Sequence, residues 1–460
     1  MQTQCNAEQL QFFKVGRRAV VAAFDGGRVS SGAGAVLLGK ADAAIGLIDR
    51  LAGCFTDGRK AELIEHSVRT LIGQRVFGMA LGYEDLNDHD QLRHDPVMGA
   101  LLGKLEAQRP SCAALAGKST LNRLELYPRS DLNRYHKIVP QGEAIEQLWV
   151  QLFLEAHAVA PDEIVLDLDA TDDPLHGHQE GRFFHGYYDC YCYLPLYIFC
   201  GEHLLCAKLR RSNRDGAAGA KKEIARIVAQ IRERWPAVRI ILRADSGFCR
   251  EELMGWCEQN AVDYVFGLAR NKRLVRAIGR ELREAREASQ RAHRPARRFR
   301  ELRYRTRKSW SRTRRVIGKA EHTGDKANPR FIVTSLGKER WEARKLYEDL
   351  YCARGECENR IKEAQLDLFA DRLSTETFRA NQLRLWLSSA AYVLMHALRR
   401  IGLKNTALAR ACANTIRLRL LKIGAVITLS VRRVKLAMSE ACPNQREFIA
   451  AFHALNAAAR

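Results

Sequence analysis

The stretch EIVLDLDAT, residues 163–171, predicts the first strand of a sheet in the middle of the chain. Alternate side chains of an extended strand share a face, so Asp167 and Asp169 point to one side and Leu166 and Leu168 to the other. Asp169 lies at the end of the strand, where a side chain can leave the core. An apolar face and a terminal acid together predict a packed sheet with a polar site at its edge.

The stretch RIILRADSGF, residues 239–248, repeats this arrangement, with Asp245 placed between an apolar strand and a Ser-Gly turn. Two strand-end aspartates in one sheet favour a divalent-metal site, because cations such as Mg²⁺ bind carboxylate oxygens. For either aspartate taken alone, a turn or a helix cap is the simpler interpretation.

The elements around these two strands predict a mixed α/β core. CYLPLYIF and HLLCAKLR, joined by CGEH, are typical of a hairpin, and VDYVFGL of a further strand. KKEIARIVAQIRERW and CREELMGWCEQN have helical apolar spacing. Helices alternating with strands in this way pack on the faces of a sheet.

A third acidic position follows from helical geometry in LYEDLYCARGECENRIKEAQ. Tyr351, Arg354, Glu358 and Lys362 fall within an arc of roughly 80° on a helix, beside a separate apolar stripe. One stripe can pack on the sheet while the other faces a cleft. A solvated ion-pair face is the alternative interpretation of Glu358 and its basic neighbours.

The composition indicates a polyanionic partner. The chain of 460 residues has a formal net charge of +22, which favours nucleic acid or a membrane surface. The longest apolar run is shorter than the roughly 20 residues of a membrane-spanning helix and is flanked by arginines. No export signal is visible at the N-terminus, so we expect a cytoplasmic, nucleoid-associated protein with no membrane partner.

Much of the charge lies between Leu268 and Ala320, where 20 Lys and Arg face four acids. Strand-like segments in this stretch, such as RRFRELRYRT and RRVIGKAEHT, predict an inserted basic subdomain with a small sheet of its own. A solvated charge run is the alternative.

Together these residues resemble the DDE transposases of bacterial insertion sequences, and most closely the insertion sequence thirteen-eighty family within the insertion sequence four group. The resemblance is carried by LDLDATDDPLHGHQEG, YYDCYCYLPL, ILRADSGF, VFGLARN and RGECENRIKE. It implies an RNase H-like catalytic core interrupted by the basic insertion. It also implies that Asp169, Asp245 and Glu358 are the catalytic acids and bind two Mg²⁺ or Mn²⁺ ions.

Tyr351, Arg354 and Glu358 match the Tyr, Arg and Glu of the larger group's signature. The signature next expects a lysine where this chain has Gln365, and Lys362, on the same helical face, is the alternative for that role.

Four acids compete with this assignment. Asp167 shares the face of Asp169 but starts deeper in the strand, and Glu356 lies off the arc of Tyr351 and Arg354. Asp172 and Asp173 follow Asp169 closely in sequence.

The resemblance also implies double-stranded DNA as partner, both transposon ends and target, and a homodimer in a paired-end complex. We expect the DNA contacts to include Tyr351, Arg354, Lys362, Trp310, Arg305, Arg307, Lys308, Arg312, Arg314 and Arg315. Trp310 is assigned either to stacking on an extruded base or to the core beneath the predicted small sheet.

The predicted domains are a helical N-terminal DNA-binding domain (1–145), the first part of the core (160–268), the basic insertion (269–338), the Glu-bearing helix of the core (339–375) and a mainly helical C-terminal region (376–460). The predicted function is cleavage and strand transfer at terminal inverted repeats. A metal-dependent nuclease on the same core and a non-catalytic DNA-binding protein are the alternatives. A zinc site built from His176, His178, His185, Cys190 and Cys192 fits no usual ligand spacing.

Overall fold

The structure, a computed structural model, describes residues 8–127, 135–323 and 326–458. The chain divides into two compact units. The sheet unit spans Pro140–Ser389, and the terminal unit contains the chain up to Val139 and from Ala390 onward. The region predicted as 376–460 therefore contributes to both units.

Within the described residues, nine strands of the sheet unit form one mixed sheet. They are β1 (Glu163–Ala170), β2 (Leu196–Cys200), β3 (His203–Lys208), β4 (Arg239–Ala244), β5 (Asp263–Leu268), β6 (Ala296–Tyr304), β7 (Arg314–Thr323), the short strand Lys326–Ala327 and β8 (Arg330–Thr334). The order across the sheet is β3-β2-β1-β4-β5-β8-β7-β6, and Lys326–Ala327 pairs with β7. β4 runs parallel to β1 and β5 parallel to β4, whereas the other pairs are antiparallel.

Both faces of this sheet are covered. Ile164, Leu166 and Leu168 of β1 belong to a core that includes residues of α1 (Gly142–Glu155), α2 (Ala220–Arg234) and α3 (Glu251–Gln259). The opposite face buries Ile241, Val265, Ile317 and Ile332 against Leu346, Tyr347 and Leu350. The alternation predicted for β1 is confirmed, since its leucines and its aspartates lie on opposite faces.

The strands of the basic segment do not form a separate small sheet, so that expectation was wrong. β8 pairs with β5 through Val265 and Thr334, and β7 pairs with β8 through Ile317 and Ile332. The physical reason is burial on both faces, because Val316 lies in one core and its neighbour Ile317 in the other. The basic segment thus extends the main sheet.

The helix that carries Glu358 changes its winding several times. It consists of Ala343–Lys345 (α), Leu346–Tyr351 (π), Cys352–Arg354 (3₁₀), Gly355–Lys362 (α) and Glu363–Asp367 (π). We call this segment the glutamate helix. Wide π turns inside helices occur frequently at functional sites.

The other elements of the sheet unit are short strands and further helices. The strands Asp173–Pro174, Phe183–His185 and Cys190–Tyr193 form a three-stranded sheet. The helices are Ser246–Phe248 (3₁₀), Lys272–Ala277, Gly279–Ala292 and Phe378–Ala397, the last of which continues past Ser389.

The terminal unit is mainly helical. Its helices are Ala33–Ala35, Val36–Ile45, Leu47–Ala52, Ala61–Leu63, Val68–Ala80, His89–Leu92, Pro96–Leu101, Lys118–Glu125, Leu398–Gly402, Ala413–Ile416, Arg417–Leu421 and Gln445–Ala458. Its strands are Leu10–Val15, Arg18–Ala22, Val29–Ser30, Phe55–Asp57, Ala425–Leu429 and Val434–Met438, and Ile138–Pro140 crosses the unit boundary. The strands Ala425–Leu429 and Val434–Met438 pair as an antiparallel hairpin. Of the helices in the described ranges, none combines the length and apolar character that crossing a membrane requires.

Candidate active site

Asp169 occupies the end of β1 as the sequence predicts. It lies opposite Tyr197 of β2, and its Oδ1 accepts a hydrogen bond of 2.9 Å from the backbone N–H of Ala170. Burial raises the pKa of Asp169 to about 7, and the nearby charges of Asp245 and Glu358 act in the same direction, against Arg354. Burial is therefore the main cause of the raised pKa, and the charges of the other two acids add to it.

Asp245 directly follows β4 and begins the 3₁₀ turn Ser246–Phe248. Its Oδ1 accepts a hydrogen bond of 2.8 Å from Gly247 N–H, so the cap predicted for a strand-end aspartate does form. A Cβ atom added to Gly267 of β5 would meet the backbone N of Ser246 at 2.8 Å and the Tyr351 hydroxyl at 2.7 Å. A glycine at this position therefore lets β5 and the glutamate helix approach the Asp245 turn.

Glu358 reaches the same place from the glutamate helix. Arg354, one turn earlier, places Nη2 at 2.6 Å from Glu358 Oε1 and Nη1 at 3.7 Å from Asp169 Oδ2. The Asp169 side chain is 15% exposed and that of Glu358 is 42% exposed, so the pair spans the depth of the site. The guanidinium group of Arg354 therefore interacts with two of the three acids, Asp169 and Glu358.

The three acids line one cavity of about 630 Å³ together with Arg354, Lys362 and Gln365. A neighbouring cavity of about 610 Å³ shares Asp245, Ser246, Arg354 and Tyr187 with it, and Tyr351, Arg270 and Arg330 add to its lining. The structure thus brings Asp169, Asp245 and Glu358 together in one cavity, and their catalytic role stays a prediction.

The donor chemistry of the cavity fits a divalent cation of the magnesium class. Three carboxylates offer oxygen ligands, which Mg²⁺ and Mn²⁺ prefer. In the structure, the carboxylate oxygens of Asp169, Asp245 and Glu358 do not all come within 4.8 Å of one another. The raised pKa of Asp169 reflects burial beside two further acids, an environment that a bound cation would neutralise.

Asp167, a competing candidate, is a buried structural residue. Its two carboxylate oxygens accept bonds of 2.5 and 2.7 Å from Arg243 of β4, the residue opposite it in the parallel register. Arg243 also donates to the backbone oxygen of Leu350, 2.6 Å away. This ion pair fastens the glutamate helix to the sheet and leaves Asp167 outside the cavity lining.

Asp172, Asp173 and Gln365 form a separate contact beside the cavity. Gln365 Nε2 donates to Asp173 Oδ1 at 2.6 Å and to the backbone oxygen of Asp172 at 3.1 Å. Burial raises the pKa of Asp173 well above its usual value. Lys362 is exposed on the cavity, whereas Glu356 is exposed outside its lining.

The predicted DNA contacts of the basic segment divide into exposed and buried side chains. Arg305, Arg307, Lys308 and Arg312 are exposed. Arg314 is 3% exposed and pairs with Glu251 and Glu258 of α3 at 2.6 Å each. Arg315 is also buried, and it donates to the backbone oxygens of Leu336 and Trp341 and to Glu301.

Trp310 is a core residue in the structure, the second of the two assignments that the sequence leaves open. Its side chain is 5% exposed and lies edge-on to Tyr304, with ring centroids 5.7 Å apart. The Arg314 guanidinium lies over the indole, 5.5 Å from the centroid.

The residues considered for zinc do not come together as a ligand set in the described part of the chain. The group of potential metal ligands found there is Glu146, Cys206 and Glu223. Arg226 lies 3.1 Å from Glu223 and 3.7 Å from Glu146, so this buried group already contains its own cation.

Three residues of the two cavities were missed by the sequence analysis. Arg270 and Arg330 line the second cavity, and Tyr187 lines both. The arginines could not be distinguished within a long basic run. The signal for Tyr187 was the pair of aromatic residues in the polar stretch HGYYDC.

Acids at strand ends can hold hard cations, and basic side chains beside them can contact phosphates. The family model described as the transposase DDE domain, group 1, matches residues 12–460. The chain therefore belongs to this family of DDE transposases. Among solved structures, the chain is similar to the cryo-EM structure of a piggyBac transposase synaptic complex with hairpin DNA, with 11% identity and a TM-score of 0.40 over 84% of this chain and 79% of that chain. No curated protein matches the chain.

Proposed function

We propose that this protein is the transposase of a bacterial insertion sequence, of the insertion sequence thirteen-eighty family within the insertion sequence four group. In this proposal it binds the terminal inverted repeats of its element and catalyses metal-dependent cleavage and strand transfer. The observation that carries the proposal is the convergence of Asp169, Asp245 and Glu358 on one cavity. The strand order β3-β2-β1-β4-β5, with β4 parallel to β1, supports an RNase H-like core.

The acids hold the cofactor in this mechanism, and Mg²⁺ or Mn²⁺ is the cofactor class. Two such ions, when bound, supply activation of a water or 3′-hydroxyl and stabilisation of the leaving oxygen. Asp169 and Asp245 project from strand ends and Glu358 from a helix, so the ligands lie on elements fixed by the core. Arg354 keeps Asp169 and Glu358 oriented when no cation is present.

The cationic side chains around the acids bind the DNA backbone in this proposal. Lys362 on the first cavity and Arg270 and Arg330 on the second offer phosphate contacts on both sides of the acids. Tyr351 and Arg354, which match the Tyr and Arg of the larger group's signature, line the second cavity together with Arg270 and Arg330. The exposed arginines 305, 307 and 312 and Lys308 add contacts farther along the duplex.

The assembly follows from the reaction. Excision of an element requires two ends to be cut and joined, so we propose a homodimer on paired ends, acting on DNA in the nucleoid. The helical N-terminal region, residues 1–145, is the proposed domain for recognising the terminal repeat.

The test is cleavage of a plasmid that carries the coding sequence together with the DNA that flanks it on both sides, in Mg²⁺ or Mn²⁺. Asp169→Ala, Asp245→Ala and Glu358→Ala are each expected to reduce cleavage by at least ~10²-fold with DNA binding retained, because each removes a metal ligand. Asp172→Ala and Glu356→Ala are matched controls and should keep cleavage. Near wild-type cleavage by any of the first three variants would remove that residue from the site.

Strand transfer separates this function from a nuclease on the same core. A precut end with a free 3′-hydroxyl should be joined to a target plasmid by the wild-type protein. Cleavage without joined products would favour the nuclease. The non-catalytic alternative would be favoured if the wild-type protein never cuts DNA and the three acid variants bind DNA as well as it does.

A further inference from the structure

One aromatic ring stands exposed where the two cavities meet. Tyr187 is 84% exposed and belongs to the lining of both cavities, as do Asp245 and Arg354. The core accommodates most other large aromatic side chains of the sheet unit, Trp310 among them. An exposed ring at this position contributes little to folding and is placed against whatever occupies the cavities.

The turn that carries this ring, Gly186–Asp189, is held in place. We call it the tyrosine turn. The backbone N–H groups of Tyr188 and Asp189 donate to the His185 oxygen at 3.1 and 2.9 Å, and Asp189 adopts a left-handed conformation with φ of 54°. The two strands that flank the turn pair His185 with Cys190. The position of Tyr187 is therefore set by a short hydrogen-bonded hairpin.

Tyr188 connects the tyrosine turn to β1. Its hydroxyl donates to the backbone oxygen of Ala170, the residue after Asp169, at 3.5 Å. The Tyr187 ring lies edge-on to the Tyr188 ring, with centroids 5.0 Å apart and an interplanar angle of 87°. Tyr188 thus links the Tyr187 ring to the end of β1, where Asp169 lies.

We propose that Tyr187 is a stacking platform for an unpaired nucleobase of the DNA strand whose phosphate lies at the acids. The inference rests on the proposed function and adds a base-binding site to it. A nucleobase fits better than a phosphate because the ring is uncharged, while Arg354, Lys362, Arg270 and Arg330 supply the cations. Every base has a π face, so such stacking tolerates any sequence.

An aromatic face held in advance at a cut site has a direct use. A phosphodiester inside a duplex is shielded by its neighbours, and the strand end that cleavage frees loses part of its stacking. Stacking on Tyr187 replaces what is lost and keeps that end beside the acids. Since the turn is already ordered, little side-chain entropy is lost on binding.

The experiment measures binding and cleavage separately. The binding probe is a DNA duplex with a short single-stranded overhang, studied in Ca²⁺, and its partner probe carries abasic sites throughout the overhang. We expect Tyr187→Ala to weaken binding of the first probe by about 10- to 100-fold, the range for loss of one base–aromatic stack. With the abasic probe the wild-type protein and the variant should bind alike, which closes a double-mutant cycle between ring and base.

Two further variants identify the interaction. Tyr187→Phe keeps the ring and should bind like the wild-type protein; a defect equal to that of Tyr187→Ala would overturn stacking in favour of a hydroxyl contact. Tyr191 is 47% exposed on the three-stranded sheet that flanks the tyrosine turn and lies outside both cavities, so Tyr191→Ala should leave DNA binding unchanged. Equal losses on intact and abasic probes, or no loss on either, would also refute the proposal.

Because binding is read without cleavage, the two proposals fail separately. A wild-type protein that never cuts but shows the Tyr187-dependent binding would refute the proposed function and keep the stacking site. Normal cleavage by the wild-type protein, with binding that does not depend on Tyr187, would keep the proposed function and refute the stacking site.

Discussion

Replacing Asp169 by asparagine should stabilise the metal-free protein while removing its cleavage activity. The pKa of Asp169 is raised from 3.8 to about 7, chiefly by burial. A group with a raised carboxyl pKa favours the folded state only while it is protonated, so stability is lost as pH rises from about 4 to 7. Three pKa units correspond to at most about 4 kcal/mol, and we expect about 1 to 3 because the variant also loses the contact with Arg354.

The assay is thermal unfolding in EDTA at a series of pH values. Wild type and Asp169→Asn should have the same Tm near pH 4, and by pH 8 the variant should unfold about 1 to 3 °C higher, because 1 kcal/mol shifts the Tm of a chain of this size by about 1 °C. Adding Mg²⁺ should raise the Tm of the wild type and much less that of the variant. Asp162→Asn, at an exposed position just before the same strand, is the control and should leave the curve unchanged. A Tm difference that is constant across pH, or absent, would refute the reasoning.

Three further predictions concern the basic segment. Trp310→Ala should lower the free energy of unfolding by about 3 to 5 kcal/mol through loss of core packing and impair every reaction step together, measured as Tm beside nicking yield; a stable variant defective in one step alone would contradict this. Arg314→Ala leaves Glu251 and Glu258 without their main cation and should destabilise by about 3 kcal/mol, whereas Arg312→Ala, an exposed arginine 3.3 Å from Glu258, should change stability by less than about 1 kcal/mol in urea unfolding. Each alanine at Arg305, Arg307 or Lys308 that removes a phosphate contact should reduce the slope of log K against log salt by about 0.9, and unchanged slopes would place the DNA surface elsewhere.

The acids were predictable because their positions follow from local pattern. A strand shows its ends by where apolar alternation stops, so Asp169 and Asp245 could be located from ten residues each. Glu358 followed from helical spacing, although the glutamate helix contains π and 3₁₀ turns. Despite these turns, Arg354, Glu358 and Lys362 still line one cavity, as regular helical spacing predicts.

The continuous sheet and the buried arginines could not be predicted in the same way. Pairing of Val265 with Thr334 joins residues far apart in the chain, and no local pattern encodes it. Arg314 and Arg315 resemble their exposed neighbours in sequence. Their burial depends on partners elsewhere, such as Glu251 and Glu258, which lie seven residues apart on one face of α3. A deletion of residues 270–320 would remove β6 and most of β7 from the main sheet, so it cannot isolate the charge of this segment.

Gln365 stands where the resemblance to the insertion sequence four group expects a lysine, and its hydrogen bonds give a physical reason for the difference. Asp173 is fully buried and its raised pKa favours the neutral acid, which an amide can hydrogen-bond without a charge. A lysine at 365 would bring a cation into this buried contact, where the cost of removing its charge from water offsets its attraction to Asp173. Lys362, one helical turn closer to Glu358, keeps its ammonium group at the exposed edge of the same cavity. The phosphate contact proposed for Lys362 is therefore separate from the hydrogen bonds that Gln365 makes to Asp172 and Asp173.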